Sequence, residues 1–543
     1  MLNKKSLILI CFLLSSVTLG ADELRKTKSI KPVNKKIVSK SCKGCELVSV
    51  SLNGLINEVV KRNYNLYSKK IKVNMGEHKI LLEEGIFEPN LRLSSSYSRT
   101  NVPNSAEESL SRGFLDNYKD RVRDSEASLS GLLASGGEWK IGFTDRKKGS
   151  NLISETQNYG IEYSDGLKLS FKQPLLRGMG RDVTYAKINI SKIERDISST
   201  EYKNELMNLI ATTIRLYWRL YGTQKLYENW AKTLKITEGQ LKNIRTLAEY
   251  GKVPESEIFE IKSSIFQKRT ELLTLKSTIF EIKNELLSLL NLSSAGFNST
   301  LFIAKDRPKF NYKKHLLSVD KSYQKALEHL PELKLAQLKV KSAKIEEKYS
   351  KNQLLPDLSF TSSISTLGLS DIQNNALYCS TGCKDQYSWS VGISLEIPLY
   401  GNKKAKEKLQ IAKLTRKDAE LKIDSFHNDI YNAINTKIEQ LKIERFKLNE
   451  YIKEVAISKK LLSIERNKLN LGQGKVRDVL EYEARFMNVQ RRMLSSIVNY
   501  KVAEALLNKA TGELLAKQNI KFSYNDNYRK NSKRINLKSL NRR

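Results

Sequence analysis

The chain contains no run of about 18 uninterrupted apolar residues, so no segment reads as a helix that crosses a bilayer. Histidine is scarce, and His78, His315, His329 and His427 stand alone without HxxxH or HExxH spacing, which excludes helix-borne zinc sites. A Walker A loop and a nucleophile elbow are both missing. Gly178 and Gly180 follow a strand-like stretch and open a helix, but the third glycine of a dinucleotide site is absent and no parallel strand returns. No enzyme, cofactor or metal is therefore expected. Acidic residues are outnumbered: 94 Lys and Arg face 59 Asp and Glu, a formal net charge of +35. The lysines are spread along every helical stretch instead of forming a stripe, so they read as solvated faces and no nucleic-acid partner is expected. The densest basic run, Tyr528 to Arg543, belongs to a basic C-terminal tail over residues 513–543.

Cysteine is sparse as well. Cys11 lies in the apolar run Leu7–Leu14, which follows Lys4 and Lys5 and precedes small residues including Thr18 and Gly20. That order is a secretory signal peptide over residues 1–20, too short to span, followed by a linker over 21–50. Outside the cytoplasm, Cys42 with Cys45 and Cys379 with Cys383 read as two short local disulfides, since a lone CxxC without a second ligand pair makes a poor zinc site.

What is present is alternation. Tyr387, Trp389, Val391, Ile393, Leu395 and Ile397 occupy odd positions, with Ser, Gly or Glu between them, the period of a strand with one apolar and one polar face. The same pattern appears at Leu91, Leu93 and Tyr97, at Leu167, Leu169 and Phe171, and at Leu358, Phe360 and Ile364. Strands are thus expected over 90–101, 159–173, 357–366 and 387–398, with an extra hairpin over 128–143 turning at Ser135-Gly-Gly137. Residues 101–124 read as an exposed loop.

Between these strands the period becomes helical. A long helix is expected over 182–249, with a seam at Ala186, Ile190, Ile193 and Ile197 and then Met207, Ile210, Ile214, Tyr217 and Tyr221. It reverses at Gly251 and returns over 255–290. After Pro398 the chain meets no glycine or proline between Asn402 and Gly472, so a helix over 402–470 is expected, on the order of 100 Å long. Its seam reads Leu409, Ala412, Ala419, Ile423, Phe426, Ile430 and Ala433, and its return runs over 476–510. One helix is expected from Leu52 to Ile86, and another over 319–352 that Pro331 splits in two. Matching stretches, Phe87-Glu-Pro89-Asn-Leu91 with Leu354-Leu-Pro356-Asp-Leu358 and Pro174-Leu175 with Pro398-Leu399, imply two internal repeats, 51–291 and 318–512, joined by a connector at 292–317.

Two-faced strands flanked by such long helices point to lipid on the apolar side, and in lipid every backbone group must be paired, so the strands must close into a barrel. Four strands, or six with the hairpin, fall short of the roughly eight that the smallest barrels need, so the chain must oligomerise. Ser359, Thr361, Ser363, Ser390, Gly392 and Ser394 would face a wet lumen, and Tyr97, Trp139, Tyr159, Tyr163, Tyr387 and Trp389 would form an aromatic girdle. The other reading, a secreted coiled-coil scaffold without a pore, accounts for the seams and leaves the strands unexplained.

This ordered set resembles the outer membrane efflux protein family, the TolC-like channels, over about residues 47–515. The leader, the duplicated halves, Gln173-Pro174-Leu175-Leu176-Arg177-Gly178 entering the first long helix, and Gly472 followed by Asp478-Val479-Leu480 carry the likeness. The resemblance implies an α+β fold: an outer-membrane antiparallel β-barrel built by a homotrimer and continued by an antiparallel coiled α-helical barrel through the periplasm. It also implies a periplasmic adaptor (membrane fusion protein) and an inner-membrane transporter as partners, and export of small molecules or proteins in a tripartite efflux or type I secretion system. Carried over by position, the adaptor contacts and entrance lie at Tyr250, Gly251 and Lys252 and at Leu471, Gly472 and Gln473. Glu257 and Asp478 are candidate entrance carboxylates that would favour cations, and they also suit helix N-termini. Gly474 stands where family members can carry an arginine, which leaves no arginine gate at that position.

Overall fold

A computed structural model describes residues 46–520 except 157–159, 294–299, 311–317, 383–385 and 400. The signal peptide, Cys42, Cys45, Tyr159, Cys383 and the run Tyr528 to Arg543 lie outside the described residues. The chain opens with β1 (Glu46–Val50), α1 (Leu52–Arg62) and α2 (Tyr64–Glu84), then β2 (Asn90–Pro103), α3 (Ala106–Ser111), β3 (Asn117–Leu132), β4 (Glu138–Ser150), α4 (Asn151–Thr156) and β5 (Glu162–Pro174). A helical turn, α5 (Arg181–Thr184), leads into α6 (Ala186–Glu249) and its return α7 (Ser256–Leu289). After β6 (Thr300–Ala304) come α8 (Val319–His329), α9 (Pro331–Gln353), β7 (Asp357–Ser370), α10 (Gln373–Gly382) and β8 (Tyr387–Glu396). The second long pair is α11 (Lys403–Asn470) and α12 (Val476–Ala510), and α13 (Leu514–Lys517) follows. At 64 and 68 residues, α6 and α11 each run about 100 Å.

Six strands form one sheet in the order β2-β3-β4-β5-β7-β8, antiparallel throughout. The first and second halves of the chain meet where β5 pairs β7, as at Leu169 and Ile364. Beside that junction Arg177 Nη2 donates to Asp357 Oδ2 at 2.6 Å and the Gly178 amide donates to Asn352 Oδ1 at 2.8 Å, fixing the bend from strand to helix. Gly178 at φ +83° and Gly180 at φ +98° supply backbone that an L side chain would strain.

Several expectations need correction. The exposed loop at 101–124 holds α3 and the first half of β3, so the hairpin 128–143 is the lower part of two full-length strands. The helix expected from Leu52 to Ile86 breaks at Asn63, with no proline to mark it. Asn63 is buried, its Oδ1 accepts from the Leu66 amide at 3.0 Å, and its Nδ2 donates to the Leu289 carbonyl at 3.1 Å. The expected split at Pro331 is present, with proline at the first position of α9. Residues assigned to the linker and the connector instead form β1 and β6, which pair in parallel from Glu46↔Thr300 to Val50↔Ala304. The tail begins later than 513, because Leu514 and Leu515 are buried in the main core. On α11 the seam passes from Ile430 to Ile434 and Ile438, leaving Ala433 exposed. On a straight helix a strict heptad falls back by about 20° per repeat, and an extra spacing of four turns the stripe forward again.

The largest core surrounds α6, where Met207, Ile210, Ile214 and Tyr217 of the expected seam are buried with Leu55 and Val59 of α1 and Ile282 and Leu286 of α7. The small parallel sheet is locked onto it by side chains. The Tyr217 hydroxyl accepts from the Asp306 amide at 2.9 Å and donates to Asp306 Oδ2 at 3.0 Å, while the Leu52 amide donates to the same oxygen at 2.7 Å. Gln224 donates to the Phe302 carbonyl and accepts from the Ala304 amide, closing one edge of β6. Tyr217→Phe should lower stability by about 1 kcal/mol, because it removes the partner of the half-buried Asp306 amide; detergent-phase thermal unfolding measures it.

Candidate functional site

The sheet sorts its side chains by register. One hydrogen-bonded row carries Leu91, Leu129, Ile141, Leu169, Ile364 and Trp389, all on the same face. Each is between 38% and 69% exposed, so this face offers an apolar surface that none of the other described residues covers. The adjoining row on the opposite face carries Arg92, Ser128, Gly142, Lys168, Ser365 and Ser388. The residues expected to be wet lie on that second face, where Ser363 and Ser390 hydroxyls meet at 2.9 Å and a cavity of about 640 Å³ is lined by Glu126, Lys140, Lys168 and Thr361.

The described aromatics of the expected girdle all fall on the apolar face. Tyr97, Tyr387 and Trp389 are more than 60% exposed. Tyr97 and Tyr163 share one row, separated by Arg123 and Lys147, and Lys147 lies 5.2 Å from the Tyr163 ring centre. Trp139 lies over Gly131, whose ideal Cβ would come within 2.9 Å of the indole, so glycine is needed there to seat the ring. Cys379, in α10, is disulfide-bonded.

At the far end the two long helices reverse by the same geometry. Gly251 has φ +65°, its amide donates to the Ala248 carbonyl at 2.9 Å, and Lys252 donates to Leu247 at 2.9 Å. Gly472 has φ +74°, its amide donates to the Leu469 carbonyl at 3.0 Å, and Gln473 donates to Lys468 at 2.9 Å. Both are Schellman closures in which glycine takes the left-handed position. Tyr250 and Leu471, each 74% exposed, project from the two turns. Behind them Ile244, Ile261, Ile265 and Val476 pack together and join the two returns into one tip.

The expected carboxylates are placed differently from each other. Glu257 of the first return is half-buried and faces the backbone N–H of Val476 and the Lys475 charge of the second. Burial pushes its pKa up, Glu260 adds to the rise, and the Val476 amide and Lys475 oppose it. Asp478 sits in the first turn of α12, where it complements the helix dipole and acts electrostatically on Lys468 of its own hairpin.

A buried ionic cluster above the tip escaped the sequence reading. Glu483 of α12 is fully buried, with Lys268 of α7 at 3.2 Å, Arg466 of α11 at 2.9 Å, and the Thr237 hydroxyl of α6 at 3.3 Å. All four long helices therefore meet at one carboxylate. The signal was legible: Val479, Glu483 and Met487 are four apart, as are Ile261 and Ile265, with Lys268 next in rhythm, so two charges interrupt two apolar seams.

Comparison with known proteins accords with this geometry. Residues 322–513 match the family model described as outer membrane efflux protein. The chain resembles the outer membrane efflux proteins. No curated protein sequence matches it. Among solved structures, the CmeC outer membrane channel of Campylobacter jejuni superposes with a TM-score of 0.61 at 14% identity, covering 87% of this chain and 90% of that one. The outer membrane protein VceC of Vibrio cholerae gives 0.60 at 15% identity, covering 85% and 96%. The open state of the Neisseria gonorrhoeae MtrE outer membrane channel gives 0.59 at 15% identity, covering 85% and 89%. At these identities the shared property is the efflux-protein fold.

Two predictions follow from the tip. Glu483→Ala leaves Lys268 buried without its partner and should cost about 3–5 kcal/mol, whereas joint replacement of Glu483 and Lys268 by Leu and Met should restore most of the loss in thermal unfolding. A carboxyl with a folded pKa above its unfolded value binds its proton more tightly when folded. The tip should therefore be firmest below the carboxylate range and loosen as pH rises through the raised Glu257 value. Hydrogen-exchange protection over residues 250–262 should show that fall, and Glu257→Gln should abolish it.

Proposed function

We propose that three copies of this chain close their sheets into a single barrel in an outer membrane. The paired long helices continue it as a tunnel through the periplasm. The observation that carries this reading is the sheet itself. It has six strands, two open edges at β2 and β8, one apolar face without cover and one polar face. A soluble monomer would leave both the edges and the apolar face in water, and a lipid-embedded monomer would leave the edges unpaired in hydrocarbon. Pairing β8 of one copy with β2 of the next meets both demands, and three copies of six strands reach the size range of water-filled barrels.

The helices support the same assembly. Phe259, Phe266, Leu273 and Phe280 of α7 are spaced seven apart and are all more than half exposed, as is Ile457 of α11. Such unpartnered seams suit coiled packing against neighbouring copies. In this arrangement the protein is the exit duct of a tripartite efflux or type I secretion system. An inner-membrane transporter supplies cargo, and a periplasmic adaptor meets the tips at Tyr250, Gly251 and Lys252 and at Leu471, Gly472 and Gln473. Glu257 and Asp478 then lie at the entrance. The duplicated matching stretches make each copy two internal repeats.

The test is direct. The full-length protein should fractionate with outer membranes, migrate as a trimer after mild detergent extraction, and give discrete single-channel steps in planar bilayers. A monomer that stays in solution without detergent would overturn the proposal. Ile364→Arg, on the apolar face, should cost about 2–4 kcal/mol per copy at mid-membrane depth and reduce trimer yield.

A further inference from the structure

The polar face of the sheet is not neutral. Its charges divide into pairs and a remainder. Lys140 Nζ lies 2.7 Å from Glu126, Arg146 lies 3.4 Å from Asp124, and Asp357 is held by Arg177 at 2.6 Å. Lys172 stands opposite Glu138 in the register. Glu162 and Asp120 lie towards one end of their strands, and Glu396 lies at the opposite end of the sheet. Lys148 stands opposite Glu162. What remains is one row that crosses the sheet from near the start of β2 to the start of β8: Arg92, Ser128, Gly142, Lys168, Ser365 and Ser388.

Arg92 and Lys168 are exposed, and among the described residues no carboxylate lies within ion-pair distance of either, although Glu126, bound to Lys140, still acts electrostatically on Arg92. Everything else in that row is serine or glycine, and Lys168 lines the cavity beside Lys140 and Glu126, which are bound to each other. The adjoining row on the other face is wholly apolar from Leu91 to Trp389, so the two cations sit at the depth of the apolar band. Charge held there against a low-dielectric wall acts on whatever passes, and basic rings of this kind favour anions.

We infer that the sheet forms an anion-favouring passage set by Arg92 and Lys168, suited to small anionic solutes or to cargo carrying carboxylate or phosphate groups. This rests on the channel reading above, and three copies would repeat the basic pair around one lumen. Glu257 and Asp478 could bias the other end of the same conduit towards cations, so the experiment removes them first. The purified full-length trimer carrying Glu257→Gln and Asp478→Asn is placed in a planar bilayer under a KCl gradient at low ionic strength, where screening is weakest. The reversal potential should give a chloride-to-potassium permeability ratio above unity by a few-fold. Adding Arg92→Gln and Lys168→Gln should bring the ratio close to unity, and Arg92→Glu with Lys168→Glu should invert it, with trimer yield unchanged in the milder pair. A ratio that prefers potassium before the sheet is altered, or one that ignores both substitutions, overturns the inference and leaves the channel standing. Intact trimers that never conduct overturn the channel reading and this inference together.

Discussion

The governing constraint is that a backbone amide or carbonyl in hydrocarbon must find a partner. In this sheet each interior strand is paired on both sides and only β2 and β8 are not. Those two edges, together with an apolar face that no other described residue covers, are the features on which the proposed assembly rests. One face of each strand is apolar and the other carries the water-seeking residues.

The features that the sequence made legible are those in which one environment contrasts with another. Leu91, Leu167, Ile364 and Trp389 alternate with serine and lysine because one face of the sheet is apolar and the other polar, and the alternation ends where that contrast ends. Asn117 to Asp124 read as a loop although they are strand, because charges crowd both faces and only Tyr118 and Val122 mark the period. Met207, Ile210, Ile214 and Tyr217 were equally readable as a three-four seam, although neighbours such as Leu206, Leu209 and Leu216 are buried too, because the core surrounds this part of α6.

What stayed hidden was set by partners distant in the chain. Asn63 ends α1 through a bond to Leu289, 226 residues away, and no local breaker announces it. β1 and β6 are too short to show a period and exist only as a pair. At the tip, the return glycines were visible as punctuation, but the role of Glu257 was not. Its contact with the second hairpin depends on two returns placed side by side, which the spacing of either alone does not reveal. Glu483 and Lys268 were the opposite case, charges printed on apolar seams whose significance appears only once both seams face each other.

The parallel pairing of Glu46–Val50 with Thr300–Ala304 bears on how the molecule is made. The Leu52 amide reaches Asp306 across 254 residues, so this pairing cannot form until the first pair of long helices has been synthesised. Contacts of such high sequence separation bear a large loop-closure cost and form slowly. Maturation should therefore proceed from helical hairpins that assemble as they emerge to a belt that fastens late, after the first hairpin has docked and before the second is complete.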